Sequence, residues 1–278
     1  MPPRISIIIP CHDDGIYLAE ALDSIDAACT GTAFEVIVVD DGSRDESTSA
    51  ALTEARERGV TVLQRGSSGG PAAARNTGIF AAASPILLTL DVDNRIRPGF
   101  VETGIRLLEA YPAVGVVYGD AAFFGDKTGR WTMGGCSLGN ELCWNRIDNC
   151  AIFRRKVWED AGGYPEDPGL IGYEDWALWL SVLEAGWEFA YIPRQVFDYR
   201  VREGSTFDRS RAPEAKRLLR GLRGKLLEEA LKRLAALETD LPLRRALWEL
   251  VRRRFRERAR RARAGRLFDR YARRSGSA

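Results

Sequence analysis

Histidine is almost absent from this 278-residue chain: His12 is the only one. That excludes any site built from several imidazoles, whether a zinc centre or a histidine relay. The five cysteines are an odd number with no C-x-x-C pair, and Cys136, Cys143 and Cys150 are spaced wrongly for a zinc knuckle. Free, reduced thiols and a cytoplasmic setting are therefore expected. Long hydrophobic runs are missing too. The oiliest stretches, such as "PILLTL", are strand-sized, well short of the roughly 20 residues that cross a bilayer. The segment before "RISIIIP" lacks the basic, apolar and small-residue regions of a secretory signal, so none is expected.

Charge is plentiful but uneven. The net charge of +2 is the sum of two opposed parts. Residues 206–278 carry 23 Lys/Arg against 9 Asp/Glu, whereas residues 1–205 carry 18 against 30. This contrast predicts a boundary near residue 205, with a large domain over 1–205 and a basic helical extension over 206–278.

Within the first part, β-branched runs alternate with helical patterns. "RISIIIP" (4–10), "FEVIVVDDGS" (34–43), "VTVLQRG" (60–66) and "PILLTLD" (85–91) read as buried strands. Between them, 15–25, 44–59 and an Ala-rich stretch ending at 84 read as helices. Such alternation predicts an α/β fold, a mostly parallel, Rossmann-like sheet flanked by helices, with its ligand crevice at the carboxyl ends of the strands. The polar signals fall there: "CHDD", "DDGS" and "DVDN". Further on, "VGVVYGDAAFF" reads as a strand, "EDWALWLSVLEAGW" (174–187) as an amphipathic helix, and "FAYIP" and "VFDYRV" as two short closing strands.

Each motif has two readings. Asp91 and Asp93 can hold a hard divalent ion that draws its other ligands from water and phosphate, or they can be a solvated turn. Asp40 and Asp41 can cap a turn, with Ser43 and Asp45 as further caps, or accept a ring N–H from a nucleobase. "GSSGGPAAARN" lacks the Lys-Ser/Thr of a P-loop, but its glycines permit close backbone approach and Arg75 can neutralise phosphate. Glu174 and Asp175 open a helix, where the dipole favours acids. Either could also serve as a general base tuned by its neighbour.

Taken in order, "SIIIPCHDD", "VIVVDDGSRDES", "GGPAAARNTGI", "LLTLDVDNRIRPGF", "CAIFRRKVWEDAGGYPED", "GYEDWALWLSVLEAGW" and "FDYRVREGS" resemble the family 2 glycosyltransferases of the GT-A fold, over about residues 4–205. The resemblance implies inverting transfer of a sugar from a nucleotide-diphosphate donor, most often a UDP-sugar, to a glycan or lipid-linked acceptor. It implies that Pro10 and His12 line the base pocket, that Asp41 accepts from the base, and that Arg75 lies near base or diphosphate. Asp91 and Asp93 match the D-x-D motif. Asp93 would be the direct ligand of Mg2+ or Mn2+, and Asp91 would help hold ribose or metal. Asp175 matches the catalytic base, with Glu174 beside it. Trp131, Trp144 and Asn145 are the acceptor-side candidates.

Two departures stand out. Where the family often has a histidine near the end of the domain, this chain has Arg202 followed by Glu203. That implies either a weaker hold on the metal or a direct Arg202–diphosphate contact. Cys11-His12-Asp13 also replaces the usual tyrosine and asparagine. Two other functions stand beside the enzyme: a sugar-nucleotide-binding protein without turnover, and a nucleotidyltransferase, whose basic glycine-rich signature near the N-terminus is missing.

In the tail, Leu219, Leu222, Leu226 and Leu234, then Leu243, Leu247, Leu250 and Phe255, form apolar stripes among arginines. These read as helices packed on the domain, or as a peripheral contact with an anionic membrane. No nucleic-acid module accompanies them, so nucleic acid is not the expected partner. The oligomeric state is left open.

Overall fold

The computed structural model describes residues 2–136, 145, 147–202 and 221. The chain divides into two units, Met1–Gly224 and Lys225–Ala278, and every described residue belongs to the first. Trp144, the boundary near residue 205 and the basic extension (Gly221 apart) lie outside the described residues.

The expected α/β architecture is present. Strand β1 (Ile5–Cys11) runs parallel to β2 (Phe34–Asp40) on one side and β4 (Ile86–Thr89) on the other, and β2 is parallel to β3 (Thr61–Gln64). β4 then pairs antiparallel with β8 (Ile152–Arg154), and β8 with β6 (Val114–Gly125). β6 lies parallel to β9 (Glu188–Val201) along its whole length. Short antiparallel pairings add β5 (Arg95–Ile96) to β9 and β7 (Gly129–Trp131) to β6. The resulting order is β3-β2-β1-β4-β8-β6-β9-β5. The long ladders are parallel, and each antiparallel pairing spans only two or three residue pairs.

Strand β1 is buried on both faces. Ile5, Ile7, Ile8 and Ile9 are all fully enclosed, which is why its sequence is a continuous apolar run rather than an alternating one. Each such side chain contributes roughly 1.5–3 kcal/mol of burial. Helix α1 (Leu18–Ala28) follows a single 3-10 turn, and α2 (Glu46–Glu57) is capped by Asp45, whose carboxylate accepts from Thr48 N at 2.7 Å. Helix α3 (Gly70–Ala81) crosses β1 and β2 so closely that a Cβ on Gly78 would lie 2.6 Å from Ile8 and 3.0 Å from Val39. α4 (Phe100–Ala110) and α5 (Arg155–Ala161) complete the layers with α6 (Glu174–Glu184).

Two expectations are corrected, and one helix is new. The two closing strands are one, β9, bent by register shifts near Gly119 and Asp120 of its partner. These irregularities absorb the break that "PRQ" suggests in the sequence. Helix α6 is not amphipathic: residues 174–180 are all buried, so it runs through the interior with its acidic end inside. Helix α4 was not anticipated at all, although Phe100, Val101, Gly104, Ile105 and Leu108 are buried at helical spacing.

Candidate active site

The sheet gathers the polar signals at one edge. Cys11 registers with Asp40 at the ends of β1 and β2, and Leu90 N donates to Ile8 O as β4 ends. "CHDD", "DDGS" and "DVDN" therefore meet at the carboxyl ends of three adjacent parallel strands.

The β1 and β2 loops are clipped together. Asp13 adopts φ 54°, the only non-glycine described residue with positive φ. Its carboxylate accepts from Arg44 N at 2.7 Å, while its own N–H donates to Ser43 Oγ. His12 Nδ1 lies 3.0 Å from Asp41 O. A carbonyl only accepts, so Nδ1 carries a proton, and Nε2 lies 3.8 Å from the Asp13 carboxylate. Asp40 caps its own turn, accepting from Ser43 N at 2.9 Å. Gly42, at φ 77°, lies where a Cβ would meet Ser68 N at 3.0 Å.

Asp41 has a different task. Its buried carboxylate faces the start of α3 and accepts from Gly69 N, from Gly70 N at 2.8 Å and from Ser68 Oγ at 2.9 Å. Arg65 Nε adds an ion pair at 2.7 Å, with its N–H not aimed at the oxygen. The carboxylate supplies the negative charge and acceptors that a helix N-terminus wants. A carboxylate has about four lone-pair sites, so a nucleobase N–H would have to displace one of these donors. Pro10 lies half-buried at the end of β1, next to this corner.

One helical turn further, Arg75 is buried and bridges two distant acids. Its guanidinium donates to Asp91 at 2.6 Å and to Glu174 at 2.8 Å. Burial opposes its charge, but Asp91 and Glu174 outweigh burial and hold it protonated well above the ordinary arginine value. Arg75 thus joins the D-x-D loop to the start of α6, rather than lying free for a base. Its neighbour Asn76 is also fully used, accepting from Trp158 Nε1 and Tyr164 N at 2.9 Å and donating to Tyr164 O.

Asp93 lies beside Asp91. Burial pushes its carboxyl up to about 6, with Asp91 adding to the rise and Arg202 opposing it. Arg202 Nε donates to Asp93 at 3.1 Å, and its Nη2 donates to Asp14 at 2.5 Å. Arg200 holds the same loop from behind, its guanidinium donating to Asp93 O at 3.0 Å and its backbone N–H donating to Asn94 Oδ1 at 2.9 Å.

Asp175, at the start of α6, is buried. Asn145 Nδ2 reaches both its oxygens, at 3.1 and 3.0 Å, and Trp176 N donates to Oδ1 at 2.6 Å. Burial, with the adjacent Glu174, pushes the carboxyl up to about 7 against those donors. Glu174 is itself fastened, by Arg75 on Oε1 and by Gly172 N on Oε2 at 2.6 Å.

Two residues that the sequence did not single out join this group. Burial, then Asp91, drives the Asp148 carboxyl well above the usual carboxylate range, and Asp175 adds to it. Tyr199 is raised by burial and by Asp148, Asp91, Asp93 and Asp175, so it faces the same acids. Trp131 packs edge-on against Tyr199 at 5.6 Å and stacks on Phe123, so it borders the acidic group. A lone Asp before a strand and a Tyr within one carry no periodic signal, and only proximity reveals them. A shallow cleft between residues 69–72 and 165–171 reaches Glu174 but not Asp91, Asp93 or Asp175.

Among the described residues, no three His, Cys, Asp or Glu side chains form a set that would hold a metal alone. The donor chemistry still suits Mg2+ or Mn2+, which commonly bind one or two carboxylates and take the rest from phosphate and water. Asp91, Asp93, Asp148, Glu174 and Asp175 outnumber Arg75 and Arg202, and burial with this crowding of acids raises Asp93, Asp148 and Asp175 above the ordinary carboxylate range. Burial pushes the thiols of Cys11 and Cys29 up to about 12, and burial, then Asp148 and Asp91, raises that of Cys150.

Comparisons with known proteins agree with this fold. Glycosyltransferase GlyG of Streptococcus pneumoniae serotype 4 is 30% identical over 160 residues, covering 56% of this chain and 51% of that protein. The fold is similar to S. aureus TarS residues 1–349, solved with UDP-GlcNAc, at TM-score 0.66 and 18% identity over 87% of this chain and 69% of that one. It is also similar to the mannosyltransferase PcManGT of Pyrobaculum calidifontis, solved with GDP-Man and Mn2+, at TM-score 0.57 and 21% identity over 90% and 79%. The chain spans a quarter to a half of the length of the curated relatives it matches. No helix among the described residues is long and apolar enough to cross a membrane. The model of glycosyl transferase family 2 matches residues 6–162, more than half of the sequence, and on this GT-A-like fold the chain belongs to that family.

Proposed function

We propose that this transferase inverts the sugar it moves, taking it from a UDP-sugar to a hydroxyl of a glycan or lipid-linked acceptor, with Asp175 as general base. The observation that carries the reading is the state of Asp175: buried, pushed up to about 7, and held by few donors. A base with its pKa near the working pH combines a useful ionised fraction with a strong pull on the proton. Oδ1 already receives Trp176 N and Asn145, while Oδ2 receives Asn145 alone, so Oδ2 is the oxygen that takes the acceptor proton. Glu174 adds like charge and, being fastened by Arg75, does not compete for that proton.

Asp93, with Asp91, would hold Mg2+ or Mn2+, which when bound offsets charge on the departing diphosphate as a Lewis acid. Arg202 would turn toward the same diphosphate. Pro10 and His12 would flank the nucleoside, with Asp41 shaping that corner through the α3 start. Trp131, Asn145 and Trp144 would face the acceptor. A single displacement by the acceptor hydroxyl inverts the anomeric centre. UDP is favoured because a fold neighbour was solved with UDP-GlcNAc, and GDP is the competitor because another was solved with GDP-Man and Mn2+. The basic extension 206–278 is proposed to rest on the anionic cytoplasmic face of a membrane.

A thermal-shift series of UDP-, GDP- and dTDP-sugars with and without Mn2+ tests the donor. Stabilisation by one nucleotide class, strengthened by Mn2+, is expected. Asp93→Asn should weaken that shift, and Asp175→Asn should keep it while losing transfer. No response to any donor, or undiminished transfer by Asp175→Asn, overturns the reading.

A further inference from the structure

Arg202 and Arg200 lie two residues apart at the end of β9, yet they treat Asp93 differently. Arg200 fixes the backbone of Asp93 by donating to its carbonyl, and it is itself held by Glu20 and stacked 4.5 Å from Tyr17 and 4.3 Å from Phe124. The backbone of Asp93 is thus held without help from Arg202. Arg202 is the more exposed of the two, its side chain at 28% against 16%, and it reaches the carboxylate itself, at Oδ2. Among the described residues it also meets Asp14, at 2.5 Å, and the face of Tyr17, at 5.2 Å.

We propose that Arg202 is a resident counter-cation of Asp93, which a divalent ion must displace and which the donor's diphosphate then receives, so that metal and donor bind cooperatively. The inference rests on the metal role proposed for Asp93. A guanidinium and a divalent ion compete for one carboxylate. Even a metal on Oδ1 would lie a few ångströms from the guanidinium, where like charge is costly in a partly buried site. Metal alone therefore binds against the loss of the Arg202–Asp93 pair. When a diphosphate arrives too, the freed guanidinium finds an anion suited to its paired N–H groups. Each ligand then helps the other by the same factor, as linkage requires.

The test measures Mn2+ binding to the full chain, counting free Mn2+ by electron paramagnetic resonance, with and without UDP and, in parallel, GDP, correcting for the metal–nucleotide complex. The wild type is expected to bind Mn2+ weakly alone and more tightly with one nucleotide. Arg202→Gln should bind Mn2+ alone about tenfold more tightly, and the nucleotide's enhancement should shrink by about the same factor. Arg202→Lys, which keeps the charge without the fork, should fall between. Circular dichroism and the thermal midpoint check that both variants are folded. Equal Mn2+ affinity and equal enhancement in wild type and Arg202→Gln overturn the role of Arg202 while leaving the metal site standing. Absence of Mn2+ binding in every protein with either nucleotide, or unchanged binding in Asp93→Asn, overturns the metal role of Asp93 and this inference with it.

Discussion

Asp41 and Asp175 are the same residue in nearly the same degree of burial, 3% and 7% exposed, at the starts of two helices, yet they are prepared for opposite tasks. Asp41 faces the N-terminus of α3 and receives two backbone N–H groups, a hydroxyl and an arginine. Asp175 receives one backbone N–H and one amide, and its neighbour is another acid. Burial penalises a charge, and donors offset that penalty one by one. Many donors make a buried carboxylate a staple. Few donors leave it with an appetite for a proton, which is what a base requires.

The largest expected effect is on turnover. Asp175→Asn should reduce transfer by about 10³-fold, the range of a general base, with donor affinity kept. A kinetic assay alongside donor binding checks both. The same variant reads the proton appetite through stability. A carboxyl raised from its ordinary value to about 7 stabilises the fold fully below about 3.8, and that contribution is lost as pH rises to about 7. Denaturation between pH 4 and 8 should therefore show the wild type losing stability relative to Asp175→Asn as pH rises. A flat difference would remove the contrast with Asp41.

Asp41→Ala should do the reverse, costing about 2–3 kcal/mol of stability by stripping the α3 start and leaving Arg65 unpaired. Urea titration measures it. If Asp41→Ala is as stable as wild type, the staple description fails. Smaller is the effect of Asn145→Ala. Without its amide, Asp175 loses its largest stabilising donor, and the midpoint of the pH–rate profile should climb by about one unit. Smallest is Ser68→Ala, which removes one of several donors to Asp41 and should cost about 1 kcal/mol in the same urea experiment.

Much of this was legible in the residues. The apolar runs of β1, β2 and β4 gave the parallel half of the sheet, because a short, unbroken apolar run ended by a polar turn suits a strand buried on both faces. The motifs resembling the family pointed to Asp91, Asp93 and Asp175 before any fold was drawn. The antiparallel half was harder. β5 and β7 are only two and three residues long, too short to carry a period, and α6 was legible as a helix but not as one buried over its first seven residues.

The order of acids and glycines along the chain determined which strand ends would be polar, and hence where the candidate crevice would lie. The sequence also determined that the first 205 residues are acidic and the rest basic. Only the tertiary structure decided which acids share a partner. Arg75 is 16 residues from Asp91 and 99 from Glu174, and it bonds to both. Asp148 and Tyr199 face the same carboxylates from separate strands and loops. A side chain's charge state depends on the donors and acids within a few ångströms of it, and those neighbours are chosen by chain crossings that local pattern does not encode.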